Sequence, residues 1–340
     1  MAAMTIDVHH HMLPPSLTDA LTEHGVAAIG GEPLPSWVPS QSIDAMDKAG
    51  ITRAVLSVPI PLHFLPPGRA ASLASDINQF GADCVRQWPD RFGYFASLPL
   101  PDVAAATAAV GSALGDLGAA GVAMLTNHAG VYQGDPSLDP LYAELDRLGA
   151  TVFVHPAVFT GDRYPTQPLD GATVAGVQPS QLEFGFDTTR AVANLIFHDV
   201  DRRFPRIRFV FTHSSACVPS VLHKLLDRKP MVTAYTAYLK EHGTPPPAEE
   251  LLAQLRTAED EARRRVRTLY FDIALSTAGT ALDALRTVVA ADHILLGTDF
   301  PFGQEIGLRY TLDGLSRYPG FTESERAGIL AGNAEELLRP

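Results

Sequence analysis

Cysteine is nearly missing. Two residues of 340, Cys84 and Cys217, stand far apart and outside any CxxC spacing. That excludes a disulfide framework and a thiolate zinc site and reads as packed thiols in a reducing cytoplasm. Long apolar runs are missing too: nothing approaches the roughly 18 residues of a membrane span. The opening residues lack the basic-then-apolar order of a secretion signal, so a soluble, cytoplasmic protein is expected. Positive charge is scarce, with 26 Lys and Arg against 38 Asp and Glu and a formal net charge of -12. The clustered basic side chains that hold nucleic acids and polyphosphates are therefore absent, and the expected partner is a small molecule, with neither nucleic acid nor membrane. No Pro-rich linker divides the chain. No Gly-rich phosphate turn follows its first strand candidate, which argues against a doubly wound nucleotide-binding sheet.

What is present is enough apolar sequence, 46% of residues, to bury a large core. Eight short runs rich in β-branched and aromatic residues alternate with Ala/Leu-rich stretches of helical period: Met4–Val8, Arg53–Val58, Gly93–Leu98, Gly121–Leu125, Ala150–Val154, Ile207–Thr212, Thr268–Ile273 and His293–Thr298. Between them Ala104–Leu117, Leu138–Leu148 and Thr280–Val289 begin at polar residues or proline, as exterior helices do. Eight strands without a boundary predict an α/β protein, one (β/α)8 TIM barrel occupying residues 1–340. Three connections, at about 12–42, 156–187 and 214–267, are too long for plain turns. All follow strand C-termini, so they are expected to wall or lid a pocket on the barrel's functional face. Pro and Gly in 161–185 suggest an irregular lid, and the charged stretch Glu249–Arg265 a solvated helix.

Polar residues end several of these runs. His9 and His11 close the first, and residues two apart on a strand share a side. His155 closes the fifth, His213 the sixth and Asp299 the eighth. Imidazole suits zinc and other borderline divalent ions, and an HxH pair supplies two of the three or four protein ligands such a site needs. Each histidine alone is more often structural. All five polar residues at strand ends make coincidence a poor explanation.

The sequence resembles the amidohydrolase superfamily, in its amidohydrolase-related decarboxylase branch. The residues that carry the resemblance are Asp7-Val8-His9-His10-His11, Met46-Asp47-Lys48-Ala49-Gly50-Ile51, Arg91–Ala96, Phe153–Pro156, Asp187-Thr188-Thr189-Arg190, Arg203-Phe204-Pro205, Thr212-His213, Gly297–Phe302 and Gly332-Asn333-Ala334. They span essentially the whole chain. The resemblance implies a metal-dependent hydrolase type of barrel in which His9, His11, His155 and Asp299 bind one divalent ion, zinc first and manganese second, with His213 beside it as acid/base. The carboxylated lysine of binuclear members has no counterpart in Thr126-Asn127-His128, which implies a mononuclear site. Val8–Pro15 and Trp37 ahead of Met46-Asp47 look most like aminocarboxymuconate-semialdehyde and 6-methylsalicylate decarboxylases. A homodimer or larger assembly is also implied. Two departures stand out: His213-Ser214-Ser215 where many members have His-Gly-Gly, and Ser42 where some have an arginine.

The reaction expected from this resemblance is nonoxidative decarboxylation of a small aromatic or enol-type carboxylic acid. A proton must reach the carbon that bears the carboxylate, and Asp299 and His213 are both candidates to deliver it. Trp37, Phe64, Phe184 and Phe302 lie in loops expected to overhang the mouth and clamp a flat ring. His128 is a further candidate substrate contact, and Arg190 is expected to pair with Asp187. A hydrolase or hydratase on the same scaffold, acting on a lactone, amide or conjugated alkene, is the alternative. A barrel that binds a ligand without catalysis is a third reading, against which the complete polar ring speaks.

Overall fold

A computed structural model describes residues 4–157, 176–225 and 229–339. Eight strands form one parallel sheet in chain order: β1 (Ile6–His11), β2 (Arg53–Ser57), β3 (Phe92–Ser97), β4 (Gly121–Leu125), β5 (Thr151–His155), β6 (Arg208–Phe211), β7 (Tyr270–Asp272) and β8 (Ile294–Leu295). The sheet closes on itself. Val8 donates to the Leu296 carbonyl at 2.9 Å, Asp299 to the His9 carbonyl at 2.8 Å and His11 to the Phe300 carbonyl at 2.6 Å, so the chain beyond β8 completes a (β/α)8 barrel.

Strand alternation divides the apolar residues into two cores. Ile6, Val8, Val55, Phe95, Phe153, Val210 and Leu295 fill the barrel interior, as expected of layered inward-pointing side chains. The alternate residues join the larger core between barrel and helices. The helices include α1 (Pro15–Glu23), α2 (Pro39–Ala49), α3 (Pro67–Gln87), α4 (Val103–Gly111), α5 (Asp139–Leu148), α6 (Glu183–Phe197), α7 (Lys229–His242), α8 (Ala248–Val266), α9 (Gly279–Val288) and α10 (Gln304–Arg317). Proline at the first turn of α1, α2 and α3 costs no hydrogen bond there. Gly50 and Gly149 end α2 and α5 in the left-handed conformation that glycine adopts without strain.

The eight expected strands all appear, their ends differing by up to three residues, and the expected Ala104–Leu117 helix is α4 continued by a wider turn over Ser112–Asp116. The stretch Glu249–Arg265 is α8, an exterior helix of the barrel. Of the expected lid, residues 158–175 lie outside the described residues. Its remainder packs against the 12–42 segment: Ser180 donates to the Gly30 carbonyl, and its hydroxyl bonds Glu32. Among the described residues no helix is long and apolar enough to cross a membrane.

Candidate metal centre

The first strand does more than alternate. Its pairing with β2 slips by one residue between Asp7 and His10, a bulge that flips the phase of the side chains. Ile6 and Val8 therefore point into the barrel and so do His9 and His11, while Asp7 and His10 face outward. Outside, Asp7 accepts from the His9 and Thr298 backbone N–H groups, at 3.0 and 3.1 Å, and pairs with His10 Nδ1 at 2.9 Å. His10 Nε2 reaches the Ser42 hydroxyl at 2.8 Å, which also takes the Trp37 indole at 2.9 Å. Ser42 thus bonds the outer side of β1 and does not face the inward-pointing cluster.

Inside, one ligand atom from each of His9, His11, His155 and Asp299 lies within 4.8 Å of the others, and all four residues are buried. His9 Nε2 is 3.0 Å from His11 Nε2, and Asp299 Oδ1 is 3.0 Å from His11 Nε2 and 3.4 Å from His9 Nε2. The opposite ring nitrogens are all engaged: His9 Nδ1 donates to Asp272 at 2.8 Å, His155 Nδ1 to the Pro156 carbonyl at 2.8 Å, and His11 Nδ1 lies 3.0 Å from the Ser57 hydroxyl. With the protons on Nδ1, three bare Nε2 lone pairs and a carboxylate converge, an arrangement that repels itself unless a cation sits among them. Donors roughly 2.0–2.1 Å from an ion at angles of about 90–110° stand about 3.0–3.4 Å apart, which matches the distances among His9, His11 and Asp299. The residues fit a divalent ion.

The protein's own groups already favour one positive charge at this point. Burial works against a charged His9, but Asp272 and Asp299 overcome it and carry it up to about 10. Burial dominates at His11, brings it down to about 4 despite Asp299, and holds His155 well below its usual value. Burial would raise Asp299, yet the His11 and His9 rings that face it keep its carboxyl well below the usual range.

His213 stands beside this cluster, its ring centre 5.0 Å from that of His9 and 5.8 Å from that of His155. Its Nδ1 donates to the Ala274 carbonyl at 3.1 Å, leaving Nε2 available. It begins a left-handed turn in which His213, Ser214, Ser215 and Ala216 all have φ between 51° and 63°. Such backbone suits glycine, yet here four residues with side chains adopt it.

One residue escaped the sequence reading. Asp272, fully buried at the end of β7, holds His9 through Oδ2, and its Oδ1 accepts the backbone N–H of His213 at 3.1 Å and of Ala274 at 2.9 Å. Its signal was available: a carboxylate ends the apolar run Leu269-Tyr270-Phe271, as Asp299 ends another. The aromatic candidates divide. Phe302 meets the His11 ring at 5.6 Å and Phe184 the His155 ring at 6.0 Å. Trp37, 7% exposed, packs on Phe80, and Phe64 packs on His24, so neither is brought to the cluster. Phe153 lies beneath it, 5.1 Å from His9. The expected Arg190–Asp187 pair is replaced: Asp187 accepts from Thr126, Asn127 and Tyr132, while the Arg190 guanidinium lies 5.8 Å from the centre of the Tyr132 ring.

Comparison with known proteins agrees with this geometry. The profile of the amidohydrolase family matches residues 6–339. The chain is 30% identical to a 6-methylsalicylic acid decarboxylase of Aspergillus aculeatus, covering 99% of this chain and 94% of that one. It is 28% identical to a 6-methylsalicylic acid decarboxylase of Penicillium expansum, over 94% and 89%. A crystal structure described as amidohydrolase II superposes with a TM-score of 0.82 at 26% identity, covering 98% of this chain and 99% of that one.

Proposed function

The chain belongs to the amidohydrolase family, and from that premise we propose that it is a metal-dependent, nonoxidative decarboxylase of a small aromatic carboxylic acid of the hydroxybenzoate or 6-methylsalicylate kind. It is a carbon–carbon lyase. The observation that carries this reading is the convergence of three Nε2 atoms on Asp299, with a fourth imidazole, His213, beside them. His9, His11, His155 and Asp299 hold one ion, for which nitrogen-rich donors make zinc the first choice and manganese the second. When bound, the ion supplies Lewis-acid charge that orients the substrate carboxylate and its neighbouring oxygen.

Decarboxylation of an aryl acid needs a proton at the ring carbon bearing the carboxylate. The bond to the carboxylate carbon then breaks, its electron pair restores the ring, and CO2 leaves. Asp299, 3.0 Å from His11 Nε2, and His213, beside the His9 ring, are the two groups placed to deliver that proton. His213 keeps Nδ1 on the Ala274 carbonyl, so its Nε2, once it has taken a proton from solvent, is the atom that gives that proton to the ring carbon, where the proton stays in the product. Phe302 and Phe184, against His11 and His155, supply apolar faces for the substrate ring and exclude water. Of the two hydroxyls that follow His213 and that a hydrolytic reaction could use, that of Ser214 is committed to the Ser276 carbonyl.

The same reading takes residues 1–340 as one barrel unit, active in the cytoplasm as a homodimer or larger assembly. Free Cys84 and Cys217 support the compartment, and the exposed apolar pair Ile306 and Tyr310, one turn apart on α10, supports association. The test is to purify the protein without added metal, measure bound metal by plasma mass spectrometry, and screen hydroxybenzoates and 6-methylsalicylate for CO2 release. The expected result is close to one equivalent of zinc or manganese, with CO2 release that disappears in His9→Ala. Metal without CO2 release from any of these acids overturns the decarboxylase, and no metal overturns the site.

A further inference from the structure

The rim of the barrel carries another histidine that the metal cluster does not use. After β4, Asn127–His128 pairs with Val131–Tyr132 in a tight hairpin whose corner residues, Ala129 and Gly130, have φ of 52° and 85°, the turn that best follows strand twist. The turn is nailed down by Asp187, which accepts from Thr126, Asn127 and Tyr132. Within it the His128 ring folds back, so that Nε2 accepts the backbone N–H of Leu125 at 3.1 Å. A ring nitrogen that accepts carries no proton, so in the neutral ring the proton sits on Nδ1.

That Nδ1, across the ring from the Leu125 bond, is buried and has no hydrogen-bond partner among the described residues. Leaving a buried donor unmatched costs roughly 1–3 kcal/mol, and native proteins rarely leave one unmatched without reason. Leu125 is the register partner of His155, so the orphan donor stands one strand from a residue of the metal cluster and on the same rim. Burial, and secondarily the charge of His63 on the loop after β2, hold the ring down to about 3. It is therefore a neutral N–H donor throughout the physiological range.

We propose that His128 Nδ1–H is a substrate-binding donor for a ring oxygen other than those beside the carboxylate, so that the preferred substrates carry an additional hydroxyl, carbonyl or ether oxygen. The proposal rests on the aromatic-acid reading above and narrows it. A neutral, buried donor matches a neutral acceptor; a second carboxylate would be buried there without a counter-charge. 6-Methylsalicylate has no such oxygen and is expected to bind less well than a dihydroxybenzoate of suitable pattern.

The test is calorimetric binding of 2-hydroxybenzoate and the isomeric 2,x-dihydroxybenzoates to the zinc-loaded protein, for wild type and His128→Phe, with CO2 release followed in parallel. At least one dihydroxy isomer should bind the wild type about tenfold more tightly than 2-hydroxybenzoate, the equivalent of one hydrogen bond, and His128→Phe should erase that difference. No preference in the wild type, or one that survives in His128→Phe, overturns the donor. Should the phenylalanine variant fail to fold, nitrogen-15 resonances of His128 in the wild type report instead: Nδ1 should shift on adding the preferred isomer, and an unmoved resonance overturns the proposal. A binding preference without CO2 release would sink the decarboxylase and leave the donor standing, whereas CO2 release without the preference does the reverse.

Discussion

Gly297 faces His9 so closely that a Cβ at position 297 would lie 2.7 Å from the Cβ of His9 and 2.9 Å from the Cγ of Asp272. The chain just beyond β8 therefore needs glycine because the metal-ligand imidazole and the carboxylate that orients it occupy the space a side chain would take. Neither neighbour is the free end of a flexible chain. Gly297→Ala should displace both, cost about 1–3 kcal/mol of stability by overpacking, and weaken metal binding. Chelator competition and thermal melting measure the two effects, and a variant that binds zinc like the wild type would show that the crowding is absorbed elsewhere.

Asp272 serves two masters. One oxygen fixes the His9 ring, and the other fixes the backbone N–H of His213. In Asp272→Asn one amide oxygen has to serve both, and the charge that attracts a cation is gone. Loss of such an outer partner typically costs about 10–100-fold in metal affinity or activity. The variant should lose zinc at a lower chelator concentration and, when resaturated, still turn over slowly because His213 is no longer held. Full activity on resaturation would confine Asp272 to the metal alone.

The barrel and the inward-facing ring were readable because they depend on short-range regularities. A run of β-branched and aromatic residues makes a strand, and a polar residue that ends it stands on the rim. That grammar located His9, His11, His155, His213 and Asp299. It passed over Asp272 because the apolar Ile273 follows it, which sets the carboxylate inside the expected strand Thr268–Ile273 and not at its end. The bulge in β1 was hidden for a different reason: it depends on register with β2, which no local pattern encodes. Trp37 shows the limit for loops. Its place in the chain put it near the mouth, yet its indole bonds Ser42 and its ring packs on Phe80, the second contact set by a helix that begins 30 residues onward.

The turn after β6 stores strain. Ser215 has φ 63°, is fully buried, and its hydroxyl has no hydrogen-bond partner among the described residues. Left-handed backbone costs a non-glycine residue roughly 1–2 kcal/mol, and glycine returns part of that through greater freedom in the unfolded chain. Ser215→Gly should therefore raise stability by about 1 kcal/mol, read by chemical denaturation. A fall in stability would show that the Ser215 side chain fills space that matters more than the strain it brings.

His213 is held by bonds that do not pass through the metal ligands: its ring to the Ala274 carbonyl and its backbone N–H to Asp272. Removing the ring should therefore leave the cluster of His9, His11, His155 and Asp299 intact. His213→Ala should retain its metal and melt near the wild-type temperature, while CO2 release falls by about 10²–10⁴-fold, the usual worth of a positioned acid. His9→Ala should instead lose metal and activity together. The comparison separates proton delivery from ion binding. If His213→Ala also loses the metal, His213 is a ligand and the proton comes from elsewhere; if it keeps both metal and rate, delivery by this residue is ruled out.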